Sequence, residues 1–228
     1  MQASEEQGGG PVPPAHAPET PGVGAMSESG QAYNPGEPVR PRQAASVILL
    51  RGGAEKLELL LVQRTPNARF MGGVWVFPGG AIDAEEGEGE TAQRAAALRE
   101  LREEASIAID DPASLVPFSR WITPAQVQIR FDTHFFLAML PDGQEAAVDG
   151  NECVDLRWCT PAEALTANRA GELVLVFPTI KHLEQLEPFS NVEALVEYAR
   201  GRKVEPVEPR VVLEGEVARI LLPGDPGY

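Results

Sequence analysis

The chain has 228 residues, 43% of them hydrophobic, which suits one domain with appendages. A net charge of −15 leaves no basic face to displace counterions, so bulk nucleic acid is excluded as an electrostatic partner. No apolar run approaches the roughly 20 residues that cross a bilayer, and the N-terminus lacks the basic-then-apolar pattern of a secretory signal. Cys153 and Cys159 lack the paired spacing of a zinc site and read as buried strand residues in a reducing cytoplasm.

Residues 1–43 are rich in Pro, Gly, Ser, Glu and Ala with almost no large apolar side chains. Such a segment cannot offset its ordering entropy by burial, so it reads as a disordered tail before a domain over 44–228. From Ala45 the pattern changes. Ala45–Leu50 and Leu57–Val62 are apolar runs around Arg51-Gly52-Gly53-Ala54, the pattern of a hairpin. Val74–Phe77 reads as a short strand entering a Pro78-Gly79-Gly80 turn, where paired glycines also permit close backbone approach to a ligand. An acidic loop from Asp83 to Glu90 leads into a helix over Thr91–Ala105. Gln128–Leu140 alternates as a strand, with Ile129, Phe131, Thr133, Phe135 and Leu137 on one face and Arg130, Asp132, His134 and Phe136 on the other. Val154–Trp158 is a further strand, and Thr160-Pro161 starts a helix to Ala170. Helices over Pro178–Gln185 and Asn191–Arg200 and a terminal hairpin from Val211–Leu213 and Ala218–Leu222 complete the chain. Interleaved strands and helices predict an α/β fold with a mixed sheet covered on both faces.

The helix carries Arg99-Glu100-Leu101-Arg102-Glu103-Glu104. With about 100° per residue, Glu104 lies near +40° and Glu103 near −60° of Glu100, while Leu98, Leu101 and Ala105 form an apolar stripe on the far side. Like charges this close repel by about a few tenths of a kcal/mol per pair. A hard divalent cation with oxygen ligands offsets the crowding, and Arg99, four residues before Glu103, can hold a carboxylate in place. A merely solvated acidic face is the alternative.

Together, Gly-Gly, the acidic loop and this helix resemble the Nudix box. That box reads Gly, five residues, Glu, seven residues, then Arg-Glu-apolar-any-Glu-Glu-any-Gly-apolar. Ser106 stands where the family has Gly, and the loop is several residues longer, which puts Thr91 rather than Glu90 in register for the early Glu. Upstream, Leu60-Leu61-Val62-Gln63-Arg64, Arg69, Gly73 and Phe77-Pro78-Gly79-Gly80 are similar to the signature of coenzyme A diphosphatases, with Val62 and Thr65 as departures. Arg130-Phe131-Asp132-Thr133 resembles a segment of the acyl-coenzyme A diphosphatase branch.

The resemblance implies an α/β/α sandwich and metal-dependent hydrolysis of a diphosphate in a nucleoside-diphosphate-linked compound, coenzyme A or an acyl-coenzyme A being favoured. Glu100, Glu103, Glu104 and the Gly80 carbonyl would ligate Mg²⁺ or Mn²⁺, with Arg99 orienting Glu103. Ala96 is small enough to let the glycine loop reach the acids. The general base is open between a helical Glu and Glu152, in the loop Asp149–Glu152, which is otherwise a solvated acid. Arg64 and Arg69 suit phosphate, or else structural ion pairs, and Gly79 would approach the substrate. His134 reads as a hydrogen-bonded strand residue, and Trp75, Trp121 and Trp158 as packing residues, with Trp75, two residues before Phe77, also a candidate to border the site. The expected partners are a small nucleotide-type molecule and, as one assembly to consider, a second copy of the chain. The rivals are a diphosphatase for nucleotide sugars, dinucleotides or oxidised nucleotides, and a non-catalytic nucleotide-binding module.

Overall fold

Among residues 36–53, 56–68, 71–214 and 217–228, which the computed structural model describes, there are ten strands and four α-helices. Most of the expected tail, and also Arg69, lie outside the described residues; residues 36–41 are irregular. β1 (Arg42–Arg51) is central, and its run Val47–Leu50 is fully buried. A strand covered on both sides needs continuous rather than alternating hydrophobicity. Its side chains still divide by the period of two, Val47 and Leu49 facing one layer, Ile48 and Leu50 the other.

β6 (Phe131–Met139) runs parallel to β1, with Arg42 opposite Phe131. On its other edge β1 has two successive antiparallel neighbours. Ala44–Ser46 pairs with β4 (Gly79–Ala81), and Leu50–Arg51 with the start of β2 (Glu58–Arg64). β2 then diverges to pair with β3 (Trp75–Val76) and β7 (Cys153–Cys159). β5 (Val116–Ile122) lies antiparallel to β6, and β8 (Pro206–Val207) parallel to β5 at the sheet's edge. β9 (Arg210–Glu214) and β10 (Val217–Leu221) form a separate hairpin.

The helix α1 (Gly89–Ala105) covers one face of the sheet through Ala96, Ala97, Leu101 and Ala105. α2 (Pro161–Arg169), α3 (Phe177–Leu186) and α4 (Val192–Arg200) cover the other, through Leu165, Leu183, Leu186 and Leu195. The architecture is the α/β/α sandwich with a mixed sheet that the sequence predicts. α2 begins where Thr160-Pro161 places it, with a reciprocal cap between Thr160 and Glu163.

Three local differences have physical causes. β5 is not foreseen because Pro117 sits at a register shift and Ser119 interrupts the apolar run. Ser119 is buried because its hydroxyl pairs with the ring of His182 on α3, itself surrounded by Phe77, Phe118, Trp121 and Phe135. The Gly79-Gly80 pair is a strand beside β1 rather than a tight turn. The third concerns α1. Its buried face runs through Ala92, Ala96, Glu100 and Glu104 as well as Ala97, Leu101 and Ala105. Two of the acids therefore lie within the face that packs on the sheet, not opposite it.

α1 ends at Ser106, which adopts the left-handed conformation with φ 58° and ψ 22° and donates its N–H to the Arg102 carbonyl. A side chain there is strained by about 1–2 kcal/mol, a cost that glycine avoids. Ser106→Gly should therefore raise stability by about 0.5–1 kcal/mol and the melting temperature by about 2–4 °C in a thermal scan. No change, or a fall, would show that the hydroxyl supplies more than the backbone loses.

Candidate active site

The site grows from the closeness of α1 to β4. Ala92, Ala96 and Ala97 are fully buried and short, so the helix lies near the strand. β4 is fixed in turn by Ser46, whose hydroxyl donates to the Pro78 carbonyl at 2.8 Å, and by Val47 N–H, which donates to the same oxygen at 2.8 Å. Two carboxylates meet the strand there. The Gly79 N–H donates to Glu104 Oε2 at 2.9 Å. A Cβ on Gly80 would stand 2.2 Å from Glu100 Oε1, so only glycine admits that carboxylate.

Both acids are taken out of water. Glu104 is 1% exposed and its pKa is pushed up to about 7, chiefly by burial, against the pull of the Gly79 N–H. Glu100 is raised as well, again chiefly by burial, with Arg99 opposing and Glu103 and Glu152 adding repulsion. Glu103, one turn away, is exposed at the rim and does not line the cleft.

Arg99 ties these groups together. Its Nη1 donates to Glu100 Oε1 at 2.8 Å and to Glu103 Oε2 at 3.0 Å. Nη2 reaches the Ala81 carbonyl at 3.0 Å, and Nε donates to Glu86 Oε1 at 3.0 Å. These partners hold the guanidinium pKa well above its ordinary value, the bond to Glu86 contributing most. One cation thus joins strand, loop and helix. Glu90, by contrast, pairs with Arg94 on its own helix at 2.6 Å.

The acids open on a cleft of about 420 Å³ at the fork between β1, β4 and β2. Arg64 lines it, with Nη1 3.9 Å from Glu104 and a buried Nε that has no hydrogen-bond partner. Glu152 lines it as well, beside the Arg64 end of β2. Its loop is tightly built: the Asp149 carboxylate accepts from the N–H groups of Asn151, Glu152 and Cys153, and Thr65 N–H donates to the Glu152 carbonyl at 2.8 Å. Those bonds hold the Asp149 carboxyl below its usual range, although partial burial works the other way. Beyond Phe77 and Phe135 the cleft continues into an apolar arm beside Trp121 and Phe177. Trp121 is therefore a cleft residue and not only a packing one, whereas Trp75 is buried in the core and does not line the cleft. His134 bonds Gln93 of α1 away from the acids.

With this geometry in view, comparison with known proteins is decisive for the family. The NUDIX domain model matches residues 40–177. The chain belongs to the Nudix family. It is 24% identical over 304 aligned residues to the human acyl-coenzyme A diphosphatase NUDT19, covering 84% of this chain and 81% of that one. A Caenorhabditis elegans protein named as a nudix hydrolase is 26% identical, over 82% of this chain and 74% of its own. Among solved structures, a NUDIX hydrolase from Alicyclobacillus acidocaldarius superposes with a TM-score of 0.62 at 26% identity, covering 70% of this chain and 96% of its own. The protein is thus a Nudix hydrolase.

Membership explains the residue that counting backwards from Arg99 overlooks. Gly80, five residues, then Glu gives Glu86, which is the acid that holds Arg99. The extra residues of the Nudix box therefore fall after Glu86, in the turn and first helical turn before Arg99. Starting the count at Gly80 would have found it. Asp149 and Ser46 are the other supports that spacing alone does not reveal.

Among the described residues, no three His, Cys, Asp or Glu side chains already form a cation cage. Two buried carboxylates, a rim carboxylate and the glycine-strand carbonyls nevertheless offer only hard oxygen donors, which fits an ion that keeps waters and shares substrate phosphates. The two glycines separate fold from site. Gly79→Ala would drive a Cβ to 2.6 Å from the Ala45 carbonyl and Ser46 Cα, so it should cost about 1–3 kcal/mol in denaturant unfolding. Gly80→Ala meets only the movable Glu100 carboxylate, so stability should change little while activity falls about 10²-fold. Equal losses of stability would refute this division.

Proposed function

We propose that this Nudix hydrolase cleaves a diphosphate bond in coenzyme A or an acyl-coenzyme A, using Mg²⁺ or Mn²⁺. One observation carries the reading: Glu100 and Glu104 are buried together against the glycine strand of a cleft that also holds Arg64 and Glu152. Coenzyme A is favoured by the spacing from Leu60 to Gly80, by Arg130–Thr133, and by the name of the human relative.

Glu100, Glu104 and the Gly80 carbonyl would hold the cation, with Glu103 joining from the rim as Arg99 releases or shares it. A bound divalent ion neutralises the diphosphate and lowers the pKa of a water molecule. Arg64 lines the same cleft, and its planar guanidinium suits a phosphate group there. Arg69 and the Gly79 backbone belong to the same substrate side in this reading. Glu152 lines the same cleft as Glu100, exposed to water on a loop held by hydrogen bonds to Asp149, and we assign it the proton from the attacking water; Glu103 is the alternative base. The N-terminal tail and a domain over 44–228 complete the proposed organisation.

Incubating the protein and Mg²⁺ or Mn²⁺ with a panel of nucleotides should release 4′-phosphopantetheine and adenosine 3′,5′-bisphosphate from coenzyme A. Glu103→Gln, Glu104→Gln and Glu152→Gln should each lower kcat by about 10²-fold or more. Cleavage confined to nucleotide sugars, dinucleotides or oxidised nucleotides would replace the substrate. Binding without turnover of any panel member would replace the enzymatic reading.

The metal assignment has its own pH signature. In the metal-free fold the Glu104 carboxyl binds its proton more tightly than in the unfolded chain, about 7 against 4.5. Its stabilising contribution is thus full below 4.5 and is lost as pH rises through about 7. A cation replaces that proton, so the gain in melting temperature from Mn²⁺ over EDTA should be larger at pH 8 than at pH 5.5, by mass action on a deprotonated ligand. Glu104→Gln should shrink the difference, leaving the part that Glu100 contributes. A gain independent of pH in the unsubstituted protein would remove Glu104 from the metal site.

A further inference from the structure

At about 420 Å³ the cleft is larger than a diphosphate and its cations require. Past Phe77 and Phe135 it runs under the terminal hairpin, and there its walls are Trp121, Phe131, Phe177, Pro209 and Ile220. The hairpin is seated beside this arm rather than on the core. β8 pairs Val207 with Trp121, the Glu208 carboxylate takes a 2.6 Å ion pair from buried Arg130, and the Tyr228 hydroxyl donates to the Glu208 carbonyl at 2.9 Å. These ties place Pro209 and Ile220 over the aromatic floor.

We infer that this arm holds the acyl chain of an acylated coenzyme A, with the terminal hairpin as its roof; the inference rests on the diphosphatase reading above. Two features favour an alkyl chain over a nucleobase. Trp121 and Phe177 meet edge to face, with centroids 6.2 Å apart at 75°, so they do not form the parallel slot that clamps a flat base. Thr123, which lines the cleft close to Trp121, is already engaged in the protein: its Oγ1 accepts from Phe131 N–H at 3.0 Å, and its carbonyl accepts from Arg130 Nε at 2.9 Å. Arg42, at the mouth, lies 6.0 Å from the Phe131 ring. An alkyl chain asks for apolar contact alone, and each methylene removed from water tightens binding severalfold.

Calorimetric titration in EDTA, where turnover is absent, tests this with coenzyme A, butanoyl-coenzyme A and octanoyl-coenzyme A. Affinity should rise along the series, octanoyl binding at least about tenfold more tightly than the unacylated compound. Ile220→Asp and Phe177→Ala should each bring the three affinities within about twofold of one another. Ile220 sits on the roof, outside the two main cores, so its variant stands even if the loss of Phe177 disturbs α3. Equal affinities in the unsubstituted protein, or a chain-length gain that survives both substitutions, would overturn the inference. So would tight binding of adenosine 3′,5′-bisphosphate alone that these substitutions abolish, because the arm would then hold the base. Failure of the diphosphatase reading shows separately, as the absence of hydrolysis in Mg²⁺.

Discussion

Everything in this protein depends on how closely α1 can approach the sheet. Large side chains at positions 92, 96 and 97 would hold the helix away from β4; alanines let it settle. Once settled, the helix carries Glu100 and Glu104 into the interface along with its apolar residues, and the strand has to be glycine where they arrive. The fold therefore contains a deliberate electrostatic conflict. Two carboxylates have lost their water, and their raised pKa values are the visible result. An arrangement of this kind is costly unless a cation or proton completes it.

Arg99 decides how that conflict is held until a ligand arrives. It is the hub of four acids: Asp83, Glu86, Glu100 and Glu103 all lie within ion-pair distance. Glu86 takes the strongest share, and it comes from the loop rather than the helix. The guanidinium thus fixes the loop against the helix and keeps Glu103 near the rim. Burying Glu103 beside the other two would place a third desolvated charge within the same face without a partner. Its exposure is the arrangement that electrostatics favours when only protein atoms are counted.

The legible part of this structure lay in patterns with a fixed period or a fixed spacing. The central strand, the hairpin into β2, the α1 run and the Thr160-Pro161 helix start all follow from such patterns, and so does the sandwich. What escaped was set by partners distant in sequence. Ser119 is polar and breaks a strand pattern, yet it is buried because His182 meets it from a helix far along the chain. Glu100 and Glu104 fall on a polar arc of the helical wheel, yet they face inward because glycine leaves them room. Glu86 escaped for a different reason: an insertion shifts spacing, and only the end of the motif nearest the fixed strand keeps its register. Residues in an inserted loop are placed by what they bind, here Arg99, and not by their distance from the helix.

The two layers of the sandwich contribute unlike chemistry to one cleft, and the split sheet makes that possible. Along one edge β1 pairs first with β4, at Ala44–Ser46, and then with β2, at Leu50–Arg51, so its two neighbours part between Ser46 and Leu50. On the α1 side the opening shows carboxylates; on the other, α3 and the C-terminal segment show Phe177, Pro178 and Ile220. In the acyl-coenzyme A reading proposed above, a substrate that spans the fork is charged at one end and apolar at the other. Neither layer could select such a molecule alone, since the acids would take any diphosphate and the aromatic wall any greasy group. In that reading selectivity would arise because β1 and β6 run side by side and hold the two ends at a fixed separation, so that a ligand gains from both only when its own length matches.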